Sequence, residues 1–178
     1  TTDGASDNDQ FTLTGDITAY AKIDIDTGAG ADVVTVNGTM TATTDMIDID
    51  SGAGVDEITV TGTMTTDAAA IDINTGSDSD RFTVKGLIKA QTNVTLDTAD
   101  GSDIVTLGEL VGGIAQGGIE TVAGTVKLDL GETTDGASDN DQFTLTGDIT
   151  AYAKIDIDTG AGADVVTVNG TMTATTDM

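Results

Sequence analysis

The sequence predicts an all-β fold, a parallel β-helix or β-roll-like solenoid with about 24 residues per rung. A segment that alternates apolar and acidic residues begins at Ile23, Ile47, Ile71 and Val94, at spacings of 24, 24 and 23 residues. Each copy contains short β-branched runs with a period of two residues, which is typical of strands. Each copy also has a turn rich in Gly and Asp, and none has a helical periodicity long enough to compete.

A longer repeat encloses the shorter one. Residues 1–46 return without a change as residues 133–178, so the period is 132 residues. Further rungs begin near Val126 and Ile155, at spacings of 32 and 29 residues, so one period holds five rungs, two of which carry insertions. We therefore divide the chain into one solenoid unit, 1–132, and the start of the next identical unit, 133–178, and expect a window of a longer array.

Stacking the rungs predicts inward columns of like residues, which one rung alone cannot bury. Two columns lie on one side: Ile23, Ile47, Ile71, Val94, Val126 and Ile155; and Ile25, Ile49, Ile73, Leu96, Leu128 and Ile157. Two lie beyond the Gly-rich turn: Val34, Ile58, Phe82, Val105 and Phe143; and Val36, Val60, Val84, Leu107 and Leu145. A third side consists of Met40, Met64, Ile88, Leu110 and Ile149.

Antiparallel hairpins are the rival fold, because Asn37-Gly38 is a good two-residue hairpin turn. A repeat near 24 residues with three apolar sides fits a coil better than a meander.

Composition limits the partners. The 31 acidic and six basic residues give a net charge of −25, which disfavours nucleic acid and anionic membranes and favours a cation. No apolar run approaches the ~20 residues of a membrane span, so we expect no membrane insertion by this segment. Cysteine is absent, so an exported protein of this kind needs metal or regular stacking for stability.

The Gly-rich turns resemble a known calcium-binding repeat. The segments from Asp26 to Val34 and from Asp50 to Ile58 are similar to the nonapeptide of hemolysin-type (RTX) repeats, glycine-glycine-x-glycine-x-aspartate-x-apolar-x, with Thr27 or Ser51 at the first glycine. The turns at 75–80, 99–103 and 136–141 keep less of the pattern, and the strands between turns do not share it.

This resemblance implies bound Ca²⁺. In that family stacked turns hold calcium through glycine carbonyls and the aspartate, and oxygen ligands of this kind suit Ca²⁺. The implied ligands are Asp26, Gly28, Gly30, Asp32, Asp50, Gly52, Gly54, Asp56, Asp78, Asp80, Asp100, Asp103, Asp139, Asp141, Asp158 and Asp164. RTX repeats carry the nonapeptide on both sides of the coil, whereas this chain has it once per rung, so we expect one calcium ladder.

Outward acidic columns support a cation independently. Asp24, Asp48 and Asp72 form one column, and a second holds Asp26, Asp50 and Asp97 with Asn74 between them. Like charges about 5 Å apart repel by about 1 kcal/mol per pair in water. These aspartates either require counterions or only keep a β surface soluble and discourage edge-to-edge association.

Catalysis is disfavoured, because the chain has no His or Cys and its carboxylates recur at every rung. We expect a calcium-stabilised structural segment of a stalk, filament or matrix element in a secreted or cell-surface bacterial protein of the RTX-adhesin type. The alternative is an adhesive module whose flat Thr or Asp face binds glycan, mineral or ice. Other copies of the repeat are expected partners, in tandem or end to end, and the Gly-rich insertion 110–123 is either a lateral contact surface or a loop.

Overall fold

The computed structural model describes residues 7–131 and 139–176, and the boundary between the units at 132–133 lies outside these residues. Within the described part, each rung of the chain contributes three strands, and the rungs together build three long parallel sheets. The parallel β-solenoid is therefore confirmed. The antiparallel alternative is wrong, because the strands on either side of Asn37-Gly38 belong to different sheets.

Sheet A contains the strand that follows each Gly-rich turn. Every neighbouring pair in it is parallel, and it runs in the order of the chain. Its strands are β1 (Gln10–Leu13), β4 (Val33–Val36), β7 (Glu57–Val60), β10 (Arg81–Val84), β13 (Ile104–Leu107), β18 (Gln142–Leu145) and β21 (Val165–Val168).

Sheet B follows sheet A in each rung and is likewise parallel. Its strands are β2 (Ile17–Ala19), β5 (Met40–Ala42), β8 (Met64–Thr66), β11 (Leu87–Ala90), β16 (Gly118–Thr121), β19 (Asp148–Ala151) and β22 (Met172–Ala174).

Sheet C closes each rung and precedes the Gly-rich turn. Its strands are β3 (Ile23–Asp26), β6 (Ile47–Asp50), β9 (Ile71–Asn74), β12 (Val94–Asp97), β17 (Val126–Asp129) and β20 (Ile155–Asp158). Sheet C has six described strands, whereas sheets A and B have seven each.

The predicted columns on sheets A and C are confirmed by the strand registers. For example, Ile23 pairs with Ile47 and Val34 with Ile58. Most inward residues are fully buried and form one continuous apolar core along the axis. The core is thin, because each rung contributes only two or three inward side chains per sheet.

One inward position of sheet B was predicted wrongly. Leu110 is 63% exposed, and Ile119, which is 2% exposed, takes the place between Ile88 and Ile149. The reason is an insertion: strands β14 (Glu109–Val111) and β15 (Ile114–Gln116) form an antiparallel hairpin that leaves the coil. The 110–123 segment is thus not one loop, because it holds most of this hairpin and then returns to sheet B as β16.

A buried aspartate ladder in the Gly-rich turns

The turn between sheets C and A brings the rungs into close backbone contact. Gly52 has φ +87°, and a side chain there would overlap the Gly28 carbonyl of the rung below. Gly54 has φ +129° and lies in the same way against the Gly30 carbonyl. Glycine is favoured at these positions because an L-residue is strained at such φ values and its Cβ would come too close to the neighbouring backbone.

Two residues without this freedom occupy equivalent positions in later rungs. Asp78 has φ +85° and Ala99 has φ +52°. Non-glycine residues rarely adopt this region, so the strain must be held by the surrounding hydrogen bonds. The turns that have Asp78 or Ala99 in place of glycine therefore keep a positive φ at that position.

One aspartate in each rung links successive turns through the same hydrogen bond. The Asp32 backbone N–H donates to Oδ1 of Asp56 at 2.8 Å, and the Asp56 N–H donates to Oδ1 of Asp80 at 2.8 Å. The same bond recurs along the whole described chain, which gives six such links in the order Asp9, Asp32, Asp56, Asp80, Asp103, Asp141 and Asp164. We call this set the aspartate ladder.

The residue before a ladder aspartate can also form a hydrogen bond between rungs, with the donor on the other rung. The Ala31 N–H donates to the Asn8 side-chain oxygen at 2.9 Å, and the Ser102 N–H donates to the Ser79 hydroxyl at 3.0 Å. Here the rung nearer the C-terminus donates, whereas in the aspartate ladder it accepts. The two links together fix the register of one turn on the next.

Five of the seven ladder carboxyls are buried, whereas Asp9 at one end is exposed and Asp164 at the other is half-buried. Asp32, Asp56, Asp80, Asp103 and Asp141 are all buried, and the Oδ2 atom of each has no hydrogen-bond partner. Burial without compensation disfavours the charged form.

The pKa values follow from this burial. Burial raises the pKa of Asp80 and of Asp103 to about 7 and that of Asp141 to about 6, and it also raises the pKa of Asp56. The ladder N–H donors oppose the shift, and neighbouring ladder carboxylates add to it. The Thr75 hydroxyl lies near the Asp80 carboxyl and the Thr98 hydroxyl near the Asp103 carboxyl, and each lowers the pKa of its neighbour. Neither hydroxyl makes a hydrogen bond of good geometry.

The other predicted calcium ligands lie outside the ladder. On the acidic face of sheet C, Asp26, Asp50 and Asp158 are exposed at the strand ends, and the Asp158 carboxylate accepts the Gly160 N–H at 3.0 Å. Asn74 and Asp97 make the same two-residue turn bond, so these side chains have a structural role in starting the Gly-rich turn.

The acidic face has the predicted register, with Asp24 beside Asp48 and Asp26 beside Asp50. Although the Asp50 side chain is exposed, partial desolvation by its neighbours raises its pKa, and the carboxylates of Asp26 and Asp48 add to this increase. Lys22 relieves part of the repulsion through ion pairs to Asp24 at 3.2 Å and Asp48 at 2.7 Å.

Three predicted ligands line one open groove at the turns. Asp78, Asp100 and Asp139 come from successive rungs and border a space of about 390 Å³ together with Ser79 and Ser102. Asp139 accepts a long hydrogen bond of 3.4 Å from the Gly101 N–H. We call this feature the turn groove.

The turns supply the hard oxygen atoms that Ca²⁺ prefers, and the unpartnered Oδ2 atoms are available acceptors. However, no group of three or more acidic side chains in residues 7–131 and 139–176 is close enough to hold one metal ion. The Gly28 and Gly52 carbonyls accept the N–H groups of Ala53 and Ser77. The described arrangement is therefore not an assembled calcium site, and calcium binding stays a prediction.

Sequence reasoning placed the ladder aspartates at the right turns as calcium ligands but did not include Asp9. The signal for Asp9 was present, because it is the copy of Asp141 one period earlier. Comparison with protein-family models, with characterised proteins and with solved structures finds no match. The fold assignment therefore rests on the structure of this chain, and the likeness to RTX repeats stays a resemblance.

Replacing Asp80 tests the ladder. Asp80→Ala removes the acceptor of the buried Asp56 N–H and is expected to lower the free energy of unfolding by about 1–3 kcal/mol. Asp80→Asn keeps an acceptor oxygen and should lose less. Asp67→Ala, at an exposed position, is the matched control and should change stability by about 0.5 kcal/mol or less. Urea denaturation measures all three, and equal losses for Asp80→Ala and the control would contradict the ladder.

Stability should also depend on pH. The folded-state pKa values of Asp80, Asp103 and Asp141 exceed the value of about 3.9 for an unfolded aspartate. Their stabilising contribution is therefore complete below about pH 4 and is lost as the pH rises through about 6 to 7. The urea midpoint should fall between pH 4 and pH 8, and the double variant Asp80→Asn/Asp103→Asn should flatten this dependence. A midpoint that increases over this range would refute the assignment.

Proposed function

We propose that this chain is a structural segment, a stiff solenoid rod built from tandem units, in a secreted or cell-surface bacterial protein. The observation that supports it most is the continuity of all three sheets from one unit into the next. Strand β13 pairs with β18, β16 with β19 and β17 with β20. Each pair joins the first 132-residue unit to the second without a gap in the sheet.

Such a junction has mechanical consequences. Because the core and the backbone ladders pass through it, tandem units share one core. At about 4.8 Å per rung, five rungs advance the rod by ~24 Å per unit. The length of the rod then increases with the number of units, as a stalk or filament requires.

The surface of the rod suits exposure to solvent. The acidic face of sheet C and the net charge of −25 keep like rods apart and favour solubility. The absence of cysteine means that regular stacking replaces disulfides as the source of stability. These features support a location outside the cell.

An adhesive module is the second candidate, because one threonine column is unbroken. The outward residues of sheet A pair in the order Thr12, Thr35, Thr59, Thr83, Thr106, Thr144 and Thr167. The column beside it is mixed, since it contains Val33, Glu57 and Arg81, and Lys89 and Glu120 interrupt the corresponding column of sheet B. A flat ligand such as ice, a mineral or a glycan would find only one regular row, so the rod is the better supported function.

Calcium is the further element of this proposal. The turn groove brings together Asp78, Asp100 and Asp139, which are predicted ligands from three successive turns and are exposed or half-buried. Bound Ca²⁺ would reduce repulsion between successive rungs and so stiffen the rod.

The rod is tested with chains of one, two and three 132-residue units. Small-angle X-ray scattering should give a maximum dimension that grows by about 24 Å per unit at a constant cross-section, because every added rung continues the same sheets. A cross-section that grows with unit number, or increments that vary as in beads on a flexible string, would overturn the proposal.

Calcium is tested separately by thermal melting followed by circular dichroism, in EDTA and then with Ca²⁺ or Mg²⁺. We expect Ca²⁺ to raise the Tm and Mg²⁺ to have a smaller effect. Asp100→Asn/Asp139→Asn should reduce the response, whereas the control Asp45→Asn/Asp67→Asn removes the same charge at other exposed sites and should not. An unchanged Tm with Ca²⁺ would reject the metal and leave the rod untouched.

A further inference from the structure

The hairpin that interrupts the coil between sheets A and B has a turn determined by the sequence. Gly112 has φ +61° and Gly113 has φ +83°. Positive φ at both central residues is the type I′ geometry that two-residue hairpins prefer, and glycine adopts it without strain. The insertion is therefore a defined element of the fold and not an irregular loop.

The hairpin has no cover within the described part of the chain. Strands β14 and β15 form a sheet of their own, without a third described strand. Leu110 is 63% exposed and Ile114 is 68% exposed, and every residue from 110 to 116 is exposed. A two-stranded hairpin is only marginally stable in water, and further strands stabilise it. The structure thus presents two free strand edges to a partner.

Apolar side chains lie on both faces of the hairpin. Val111 pairs with Ile114, and Leu110 pairs with Ala115. Neighbouring residues of a strand point to opposite faces, so the first pair lies on one face and the second pair on the other. Natural sheets usually protect exposed edges with charges or proline, and residues 110–119 contain neither. The sequence therefore leaves these edges open to pairing.

The base of the hairpin is electrically neutral, although the chain carries a net charge of −25. Two carboxylates flank the hairpin, and both form ion pairs with lysines of the preceding rung. Glu109 lies 3.8 Å from Lys85, and Glu120 lies 2.8 Å from Lys89. Residues 109–120 therefore present no unpaired charge. At this place two copies of a strongly acidic chain can touch without bringing like charges together.

The two edges of the hairpin differ. β14 begins with the half-buried Glu109, whereas β15 (Ile114–Gln116) is uncharged and exposed throughout. The hydrogen-bonded pair Val111–Ile114 closes the two-residue turn, so the N–H and C=O of the next residue, Ala115, point away from β14. The free edge of β15 therefore offers one donor and one acceptor on the same residue.

We propose that this hairpin is a contact between copies of the chain, in which β15 pairs antiparallel with β15 of a second copy around a two-fold axis at Ala115. The Ala115 N–H of each copy donates to the Ala115 carbonyl of the other, and the two hairpins form one four-stranded antiparallel sheet. A two-fold contact uses the same surface on both copies, so it closes as a dimer.

A second copy fits this edge better than a charged partner. A basic partner is attracted to the acidic face of sheet C, where Asp24, Asp48 and Asp72 stack, and not to the neutral hairpin. An acidic partner is repelled by the rest of the chain. A second copy supplies an edge of the same length, with the complementary donor and acceptor at the same residue.

The contact should be weak and should strengthen with salt. Two strands of three residues bury far less than the ~1,200 Å² of a stable interface, so dimers should form only at high protein concentration. Repulsion between chains of charge −25 opposes the contact, and salt screens this repulsion. The contact joins copies side by side, so it does not depend on the axial growth of the proposed rod.

Sedimentation equilibrium over a concentration series tests the dimer at low and high NaCl concentration. EDTA is present throughout, so that metal ions cannot bridge the acidic faces. We expect a monomer–dimer equilibrium that high NaCl shifts toward the dimer. A monomer at every concentration, or a dimer that NaCl dissociates, overturns the proposal.

Replacing Ala115 tests the edge. Ala115→Pro removes the N–H that points away from β14, and proline is tolerated at such an edge position. The dimer should be lost at concentrations at which the parent chain is half dimeric. Ala115→Ser is the matched control, since it keeps the N–H and should dimerise like the parent. Dimers of Ala115→Pro, or equal loss in both variants, contradict the edge pairing. Equal urea midpoints show that the coil folds in both variants.

Single cysteines test the two-fold axis, since the chain has no cysteine of its own. A hydrogen-bonded antiparallel pair has Cα atoms about 5.5 Å apart, which a disulfide can span. Ala115→Cys should therefore form linked dimers under mild oxidation. Leu110→Cys is the control, because the two β15 strands separate Leu110 from its symmetry mate by roughly three strand spacings of ~4.8 Å. We expect much slower linkage there, and equal rates for the two variants would overturn the assigned axis.

Discussion

The hydrogen bond from one turn's backbone to the next turn's buried aspartate is the constraint on which the rest of the solenoid depends. Strand pairing alone permits a rung to slip, because parallel strands of alternating apolar residues pair in more than one register. A carboxyl that must receive the N–H of Asp56, for example, allows only one position of Asp80. With the turn fixed, the inward columns of sheets A and C coincide and the core becomes continuous.

The ladder has an electrostatic cost that shapes the chemistry of the protein. The carboxyls are buried without a partner for Oδ2, and burial raises the pKa values of Asp80 and Asp103 to about 7, so protons neutralise part of the column near neutral pH. The carboxylates on the outer face of sheet C differ from those of the ladder, because they are solvated and two of them form ion pairs with Lys22. The same residue type therefore orders the interior and keeps the exterior soluble.

Each rung also depends on its neighbours for burial. The contrast between Val34 and Val166, which have identical sequence surroundings, shows that cover by the next rung decides whether a side chain belongs to the core. A nearest-neighbour structure of this kind gains stability with every added rung. It explains why a tandem array suits the fold.

Most of the fold could be predicted from the sequence, because period and alternation determine which residues face inward. The prediction failed at Leu110, where a hairpin with Gly112 and Gly113 at its tip displaces the rung and Ile119 takes the column position. The burial of the ladder aspartates could not be predicted either. Whether a turn carboxylate points to solvent or to the neighbouring backbone depends on the φ values of the residues before it, and local sequence similarity favoured the metal-binding orientation.

Amide hydrogen exchange at the ladder positions tests the central claim most directly. If each ladder N–H donates to a buried carboxyl, the amides of Asp32, Asp56, Asp80 and Asp103 should exchange as slowly as those of the core strands, although they lie in turns. Exchange at the rate of an exposed turn residue such as Val55, with the strands still protected, would show that the turns are not locked and would contradict the account.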